Sequence, residues 1–143
     1  MSQKNTYNWK GKTILVAEDD SYSFRYLEVL LTRNGASVIH ANNGVDAFIE
    51  CIKNLNIQLI LMDIKMPRLN GFDTARLIHK YRPDLPIIAE TAYAGSYDID
   101  YIRKSVFSDF LIKPIERNDL YESINQNLQS VEENYNSGTL IYN

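Results

Sequence analysis

Short apolar runs alternate with longer amphipathic segments along the chain. The apolar runs are rich in Ile, Leu and Val and end at polar or charged residues, which is typical of β-strands that stop at a sheet edge. They lie in the stretches "KTILVAEDD", "ASVIHA", "IQLILMD", "LPIIAETA" and "SDFLIKP". Apolar residues at helical spacing follow each run, in "SYSFRYLEVLLTRNG", "NNGVDAFIECIKNLN", "NGFDTARLIHKYRPD", "SYDIDYIRKSV" and "ERNDLYESINQNLQSVEEN". The pattern predicts five successive strand–helix units.

Five such units predict an α/β domain with a single doubly wound, five-stranded parallel sheet, because parallel strands need crossover connections that place helices on both faces. The 143 residues suffice for one such domain. We expect an N-terminal extension over residues 1–10, which are polar apart from Met1, Tyr7 and Trp9, the domain itself over 11–134, and a flexible C-terminal tail over 135–143.

Composition and charge narrow the class of protein. A net charge of −3 with interspersed acids and bases gives no basic patch for nucleic acid. No apolar run approaches the roughly 20 residues that span a bilayer, and "MSQKNTYNWKGK" lacks the apolar core of a signal peptide. The single cysteine, Cys51, excludes an internal disulfide and fits a reducing compartment. We therefore expect a cytoplasmic domain without contact to a membrane or to nucleic acid.

Side chains capable of chemistry follow four of the predicted strands. In open parallel sheets the carboxyl ends of the strands meet at one edge, where ligands bind. The residues at these ends are Glu18, Asp19 and Asp20 after the first strand, Asp63 at the third, Thr91 at the fourth and Lys113 at the fifth. Carboxylates brought together repel each other, and Mg²⁺ relieves that repulsion while also binding phosphate oxygens. Since a carboxylate can attack phosphorus, this edge could form an aspartyl phosphate.

Four motifs at these strand ends carry a resemblance to a known family. "LVAEDD", "LMDIKMPRLNG", "ETA" and "FLIKP" stand in this order and at the family's spacing, over about residues 11 to 133. The chain resembles the response regulator receiver domain, and "GKTILVAEDD" and "ETAYA" are most similar to the receivers of hybrid sensor histidine kinases. The resemblance implies a flavodoxin-like sheet with the strand order 2-1-3-4-5.

The resemblance also implies a phosphoacceptor and a metal site. Asp63 resembles the aspartate that is phosphorylated and that also binds Mg²⁺. Asp19 is similar to the direct Mg²⁺ ligand, and Glu18 to an acid that acts partly through water. Lys65 is similar to the residue whose backbone carbonyl completes the metal site.

A second set of residues resembles the part of the family that responds to the phosphoryl group. Thr91 is similar to the hydroxyl residue that follows this group, and Lys113 to the lysine that pairs with it. Pro114 resembles the cis-proline after that lysine. Phe110 stands where the family carries its aromatic switch residue.

The function that the resemblance implies is that of a phosphoacceptor module. It is not an enzyme in the ordinary sense, although such a domain assists its own phosphorylation and dephosphorylation. A histidine kinase or a histidine phosphotransfer domain donates the phosphoryl group to Asp63, with Mg²⁺ as the cofactor. The surface of the fourth helix, fifth strand and fifth helix then regulates a downstream protein partner or forms a homodimer. The chain could be a stand-alone regulator or part of a hybrid histidine kinase.

Alternative interpretations stay open at this point. The domain could be a receiver-like docking module that is not phosphorylated, although a complete set of acids argues against it. It could also bind a flavin, but acids follow the first strand and would repel the flavin's phosphate. Asp20 is equally well a helix cap, and Phe110 a core side chain. His40 and His79 have no acid or cysteine at metal-ligand spacing and are interpreted as structural.

Three further features raise specific expectations. Val106 stands where the family usually has glycine after its fourth helix, and valine resists a positive φ, so we expect that turn to be built differently or to be strained. Tyr93 flanks the site, and we hypothesise that it shields the acyl phosphate from water. The turn at Pro67 and Gly71 is expected to carry the backbone past Asp63.

Overall fold

The structure is a computed structural model of the chain, and it describes residues 7–66, 68–92 and 95–136. Strands and helices alternate along these residues, as the hydrophobic pattern predicts. In chain order the elements are β1 (Thr13–Ala17), α1 (Ser21–Arg33), β2 (Ser37–Ala41), α2 (Gly44–Lys53), β3 (Ile57–Asp63), α3 (Gly71–Tyr81), β4 (Ile87–Thr91), α4 (Ser96–Arg103), β5 (Asp109–Ile112) and α5 (Arg117–Asn136).

All five strands lie in one parallel sheet with the order β2-β1-β3-β4-β5, which confirms the predicted fold class. The register brings the ends of neighbouring strands level. Asp63 of β3 pairs with Glu90 of β4, and Thr91 of β4 pairs with Ile112 of β5. The residues that follow β1, β3, β4 and β5 therefore lie along one edge of the sheet.

Asparagine and aspartate side chains start three of the helices. Asp20, Asn43 and Asn70 are the N-caps of α1, α2 and α3, and each side chain accepts a hydrogen bond from the backbone N–H three residues later. Such a cap satisfies an N–H that has no partner within the helix, and it contributes about 1 kcal/mol. The interpretation of Asp20 as a cap is confirmed. The cap starts α1 immediately after the acids Glu18 and Asp19.

Two apolar clusters cover the two faces of the sheet, as a doubly wound domain requires. β3 contributes to both of them: Leu59 and Leu61 face one cluster, Ile60 and Met62 the other. Because both faces of this strand are covered, its sequence is almost continuously apolar instead of alternating. The strand therefore holds Asp63, at its end, on a rigid support.

Tyr7 and Trp9, before β1, pack into the core. Trp9 is 1% exposed, and its ring stacks on Tyr7 and meets Tyr121 of α5 edge-on, with 5.6 and 5.5 Å between ring centres. The backbone N–H of Trp9 donates to the carbonyl of Asn34 at 2.7 Å. These aromatic residues thus belong to the core between α1 and α5, which the polar sequence around them does not reveal.

The segment between α4 and β5 differs from the prediction. The sequence predicts a helix through Val106, whereas α4 ends at Arg103. Val106 has no positive φ, since Arg68 is the one non-glycine residue with a positive φ in the described part of the chain. The hydroxyl of Ser105 accepts a hydrogen bond from the N–H of Phe107 at 3.4 Å and helps to close the turn. The expectation of a turn without the family's glycine geometry is confirmed.

The ends of the domain are described only in part. α5 continues beyond the predicted limit of the domain and ends at Asn136. Residues 1–6 and 137–143 lie outside the described residues, and so do Pro67 and Tyr93. Among the helices that the structure describes, none has both the length and the apolar character needed to cross a bilayer.

Candidate functional site

Three carboxylates lie together at the carboxyl edge of the sheet. Glu18 and Asp19 follow β1 directly, and Asp63 ends the neighbouring strand β3. One oxygen of each lies within 4.8 Å of the others. Glu18 and Asp63 are 1% and 6% exposed, whereas Asp19 is open to solvent. The structure thus brings three of the predicted site residues into one cluster, with two acids buried and one exposed.

Backbone N–H groups orient the two buried acids. The N–H of Asp20 donates to Glu18 Oε1 at 3.1 Å, and the N–H of Lys65 donates to Asp63 Oδ1 at 3.0 Å. Each acid therefore uses one oxygen to hold the loop that follows it and keeps the other for the site. Lys65 lies within the loop after Asp63, and the role of its backbone carbonyl as a metal ligand stays a prediction.

Lys113, directly after β5, reaches both buried acids. Its Nζ donates to Asp63 Oδ2 at 3.1 Å and to Glu18 Oε2 at 3.3 Å. Partial burial alone would lower the pKa of Lys113, but the hydrogen bond to Asp63 and the charges of Asp63, Glu18 and Glu90 raise that pKa overall. The ammonium group therefore stays charged at neutral pH. The peptide bond between Lys113 and Pro114 is cis, as predicted.

Glu90 is an acid of this site that sequence reasoning missed. It pairs with Asp63 in the sheet, is 1% exposed, and its carboxylate oxygens have no hydrogen-bond partner among the described residues. Burial, reinforced by the negative charges of Glu18 and Asp63, raises the pKa of Glu90 to about 8 against the opposing charge of Lys113. The sequence held one signal of its burial: Glu90 is two residues after Ile88 on β4, so strand alternation puts both side chains on the same buried face of the sheet.

The cluster of acids suits a hard divalent cation. Burial raises the pKa of Glu18, and the nearby charge of Asp63 adds to this effect, so Glu18 resists being charged beside Asp63. All the side-chain donors are carboxylate oxygens, the donor type that Mg²⁺ prefers. Asp19 is open to solvent, so a bound cation could keep several water molecules, as Mg²⁺ usually does. The residues therefore fit Mg²⁺, which Glu18, Asp19 and Asp63 would hold.

Thr91 follows Glu90 at the end of β4, and Phe110 lies on the neighbouring strand β5. Thr91 ends β4, is 8% exposed, and its carbonyl accepts a hydrogen bond from the N–H of Lys113 at 2.8 Å. Phe110 is half-buried against the apolar cluster that includes Ala89. The guanidinium of Arg103 lies 5.8 Å from the centre of its ring. Phe110 is therefore a core side chain that also meets α4, and its role as a switch stays a prediction.

The glycine after the Asp63 loop is required by close packing. Gly71 begins α3, and its N–H donates to the carbonyl of Ile64 at 2.9 Å. A Cβ atom at position 71 would lie 2.6 Å from the carbonyl oxygen of Asp63 and 2.7 Å from Ile64 Cα. Both distances are too short for a carbon atom. Only glycine therefore lets α3 begin this close to the end of β3.

Comparison with known proteins identifies the family. Residues 14–125 match the family model of the response regulator receiver domain. The match covers most of the chain, from β1 into α5. The chain therefore belongs to the response regulator receiver domains of two-component signalling, a phosphoacceptor family. Receiver domains bind Mg²⁺ through acidic residues and interact with histidine kinases or phosphotransfer proteins.

The relatives include long kinases and a protein of domain size. The chain is 34% identical over 113 residues to the autoinducer 1 sensor kinase/phosphatase LuxN of Vibrio campbellii, a match that covers 79% of this chain and 13% of LuxN. It is 36% identical over 136 residues to hybrid signal transduction histidine kinase I of Dictyostelium discoideum, covering 89% of this chain and 8% of the kinase. The chemotaxis protein CheY of Thermotoga maritima is 31% identical over 117 residues, a match that covers 81% of this chain and 97% of CheY. The chain thus spans a small part of the two kinases.

Solved receiver domains have the same fold. The CheY-like response regulator receiver domain protein of Methanospirillum hungatei has a TM-score of 0.78, and the response regulator receiver domain protein of Clostridium thermocellum has a TM-score of 0.77. Each is 28% identical, and each match covers 85% of this chain and 97% of the other. The predicted fold and the predicted family are both confirmed.

Proposed function

We propose that this domain accepts a phosphoryl group on Asp63 from a phosphohistidine of a histidine kinase or a histidine phosphotransfer domain. The position of Asp63 carries the proposal. Its carboxylate lies within 4.8 Å of oxygens of Glu18 and Asp19 and accepts a hydrogen bond from Lys113. A nucleophile, two acids for a metal ion and a cation for phosphoryl oxygens are therefore within reach of one transferred group.

The transfer uses one carboxylate oxygen of Asp63 as the nucleophile. Oδ1 accepts the backbone N–H of Lys65, whereas Oδ2 faces the ammonium group of Lys113, which can turn to the incoming phosphoryl oxygens, so Oδ2 attacks phosphorus. The bond between phosphorus and the imidazole nitrogen of the donor breaks, and its electron pair returns to the imidazole. Lys113 then pairs with the phosphoryl oxygens, and Thr91 contributes its hydroxyl. When bound, Mg²⁺ neutralises charge on the phosphoryl and carboxylate oxygens.

Phosphorylation changes the charge of the whole edge. By analogy with other phosphorylated side chains, the added group carries about −1.5 to −2 charges. This charge draws Lys113 away from Glu18 and draws Thr91 towards Asp63. Because Thr91 ends β4 beside β5, its movement gives Phe110 room to turn inward, and the surface of α4, β5 and α5 changes with it. The response is a shift between two populated states.

We assign the domain to a cytoplasmic phosphorelay whose output goes through proteins. The changed surface would bind a downstream protein or a second copy of this chain, and neither nucleic acid nor membrane is part of the proposal. Similarity to a sensor kinase/phosphatase and to a hybrid histidine kinase supports a receiver that works with a kinase, on the same polypeptide or on another. The domain assists its own phosphorylation and dephosphorylation without being a conventional enzyme.

Labelling with a small phosphodonor tests the proposal without a cognate kinase. Phosphoramidate has the phosphorus–nitrogen bond of phosphohistidine, and acetyl phosphate is a second donor. With Mg²⁺ the parent protein is expected to gain one phosphoryl group, and Asp63→Asn to gain none. Asp84→Asn, which changes an exposed acid before β4, is the control and is expected to behave like the parent. Full labelling of Asp63→Asn would refute the assignment. A parent that binds Mg²⁺ without being labelled would instead favour the phosphorylation-independent docking module.

A further inference from the structure

His40 contacts the backbone of the acidic loop. It lies on β2 next to the end of β1, and its Nε2 is 2.8 Å from the carbonyl oxygen of Glu18. A carbonyl oxygen only accepts hydrogen bonds, so Nε2 carries the hydrogen and donates it. The imidazole also stacks on Phe24 of α1, with 3.7 Å between ring centres and 10° between the planes. Two contacts from different elements therefore fix both the position and the orientation of this ring.

The bond from His40 controls a peptide unit that leads directly to Asp19. The N–H of Glu18 already donates to the carbonyl of Ala41 at 3.0 Å, so the end of β2 binds both backbone polar groups of Glu18. The carbonyl of Glu18 shares a rigid plane with the N–H of Asp19. Among the described residues, none forms a hydrogen bond with the Asp19 carboxylate that would hold it in the cluster. The peptide that His40 holds therefore helps to set the backbone position from which this carboxylate reaches the cluster.

We propose that His40 is a positioning residue for the cation site, acting through the Glu18–Asp19 peptide and not as a ligand. Its hydrogen bond keeps Asp19 within reach of Asp63, and Phe24 keeps the imidazole in place for that bond. The inference rests on the proposed function only for the identity of the cation. The side-chain spacing around His40 gives no sign of this role, because the partner of His40 is a backbone carbonyl.

Substitutions at His40 separate this role from simple packing. His40→Phe keeps an aromatic ring against Phe24 and removes the donor, whereas His40→Gln keeps an N–H at a similar reach. Binding of Mg²⁺ to the whole chain is measured by calorimetry, without any phosphodonor. We expect His40→Phe to weaken Mg²⁺ binding about tenfold, as loss of an outer-shell contact does in other metal sites. His40→Gln is expected to bind Mg²⁺ as tightly as the parent, since the donor is retained.

Two controls keep the result interpretable. His79→Phe, the same change on α3, is expected to leave Mg²⁺ affinity unchanged, and thermal unfolding without Mg²⁺ shows that each variant is folded. If His40→Phe does not fold, Phe24→Leu takes its place. It removes the ring on which the imidazole stacks, and Mg²⁺ binding about threefold weaker than in the parent is expected.

Three results would overturn the inference: parental Mg²⁺ affinity in folded His40→Phe, parental affinity in Phe24→Leu, or a loss in His40→Gln as large as that in His40→Phe. The proposed function fails separately. A parent that binds Mg²⁺ but accepts no phosphoryl group would refute phosphorylation at Asp63 and leave the role of His40 standing. A labelled parent with unchanged Mg²⁺ affinity in His40→Phe would overturn only the role of His40.

Discussion

Lys113 donates one hydrogen bond to Asp63 and a second to Glu18, at 3.1 and 3.3 Å. An ammonium group that follows β5 thereby neutralises part of the charge of two buried acids at the ends of β1 and β3. A divalent cation bound by the same acids would offset the same negative charge. We therefore expect Lys113 and Mg²⁺ to compete electrostatically in the unphosphorylated domain, and to act together only when a phosphoryl group adds negative charge.

Removal of the Lys113 charge tests this competition. Lys113→Met is expected to bind Mg²⁺ about tenfold more tightly than the parent, because one positive charge beside the metal site is lost. Without Mg²⁺ the same variant is expected to be about 2 kcal/mol less stable, since two buried acids lose their partner. Calorimetry measures the affinity, and urea unfolding measures the stability. Lys113→Arg keeps the charge and serves as the control. Weaker Mg²⁺ binding in Lys113→Met would show that Lys113 organises the metal site instead of competing with it.

Gly71 sets the distance between α3 and Asp63. Gly71→Ala places a Cβ 2.6 Å from the carbonyl oxygen of Asp63, so the backbone must move. We expect a loss of about 2 kcal/mol in unfolding free energy together with weaker Mg²⁺ binding. Gly11→Ala is the matched control, because its Cβ would meet nothing within 4 Å although Gly11 has a φ of +83°. It is expected to lose stability and to keep its Mg²⁺ affinity. Equal Mg²⁺ affinities in Gly71→Ala and the parent would contradict the prediction.

The burial of Glu90 predicts a pH dependence of stability. The pKa of Glu90 is about 8 in the folded protein and near 4.5 in the unfolded chain. Between pH 4.5 and pH 8, Glu90 is therefore protonated in the folded state and ionised in the unfolded state. The contribution of Glu90 to the free energy of unfolding is therefore intact below about pH 4.5. It falls as the pH rises to about 8, by up to about 1.4 kcal/mol per pH unit.

Glu90→Gln removes this titration while keeping the shape of the side chain. In Mg²⁺-free urea unfolding, the variant is expected to match the parent near pH 5 and to be about 4 kcal/mol more stable near pH 8, because the parent loses about 1.4 kcal/mol per pH unit over this range. The difference between the two curves isolates Glu90 from the other groups that titrate. A difference that stays constant with pH would mean that Glu90 is already ionised in the folded domain at pH 5.

Trp9 anchors the N-terminal segment to α5. Trp9→Ala removes a side chain that is 1% exposed and leaves a cavity beside Tyr121, so we expect a loss of about 3 kcal/mol in unfolding free energy, followed by circular dichroism. Mg²⁺ affinity is expected to be unchanged, because the acids lie at the carboxyl ends of the strands whereas Trp9 lies before the start of β1. Tyr22→Ala, at a side chain that is 86% exposed, is the control and is expected to lie within about 0.5 kcal/mol of the parent.

The five strand–helix units and the meeting of Asp19, Asp63 and Lys113 followed from local periodicity and parallel topology, whereas the order of the strands came from the family resemblance. Each strand end is a local feature, and a parallel sheet brings such ends together without any knowledge of packing. The four motifs then supplied the family. Even the departure at Val106 was visible, since its cause is the steric limit of a single residue.

Features that depend on distant contacts were not predictable in the same way. The burial of Glu90 beside Asp63 depends on the register between β3 and β4, and the contact of Trp9 with Tyr121 joins opposite ends of the domain. Sequence periodicity describes one element at a time, so it indicates that Glu90 is on a buried face of its own strand but does not indicate which residue lies beside it. The hydrogen bond of His40 to a backbone carbonyl likewise has no counterpart in side-chain spacing.

The phosphorylation site itself can be located by chemical trapping. Borohydride reduces an aspartyl phosphate to homoserine, which marks the modified residue permanently. The parent protein is incubated with phosphoramidate and Mg²⁺, reduced, digested and sequenced by mass spectrometry. Homoserine is expected at position 63 and at no other aspartate. Homoserine at another aspartate, with residue 63 unchanged, would contradict phosphorylation at Asp63.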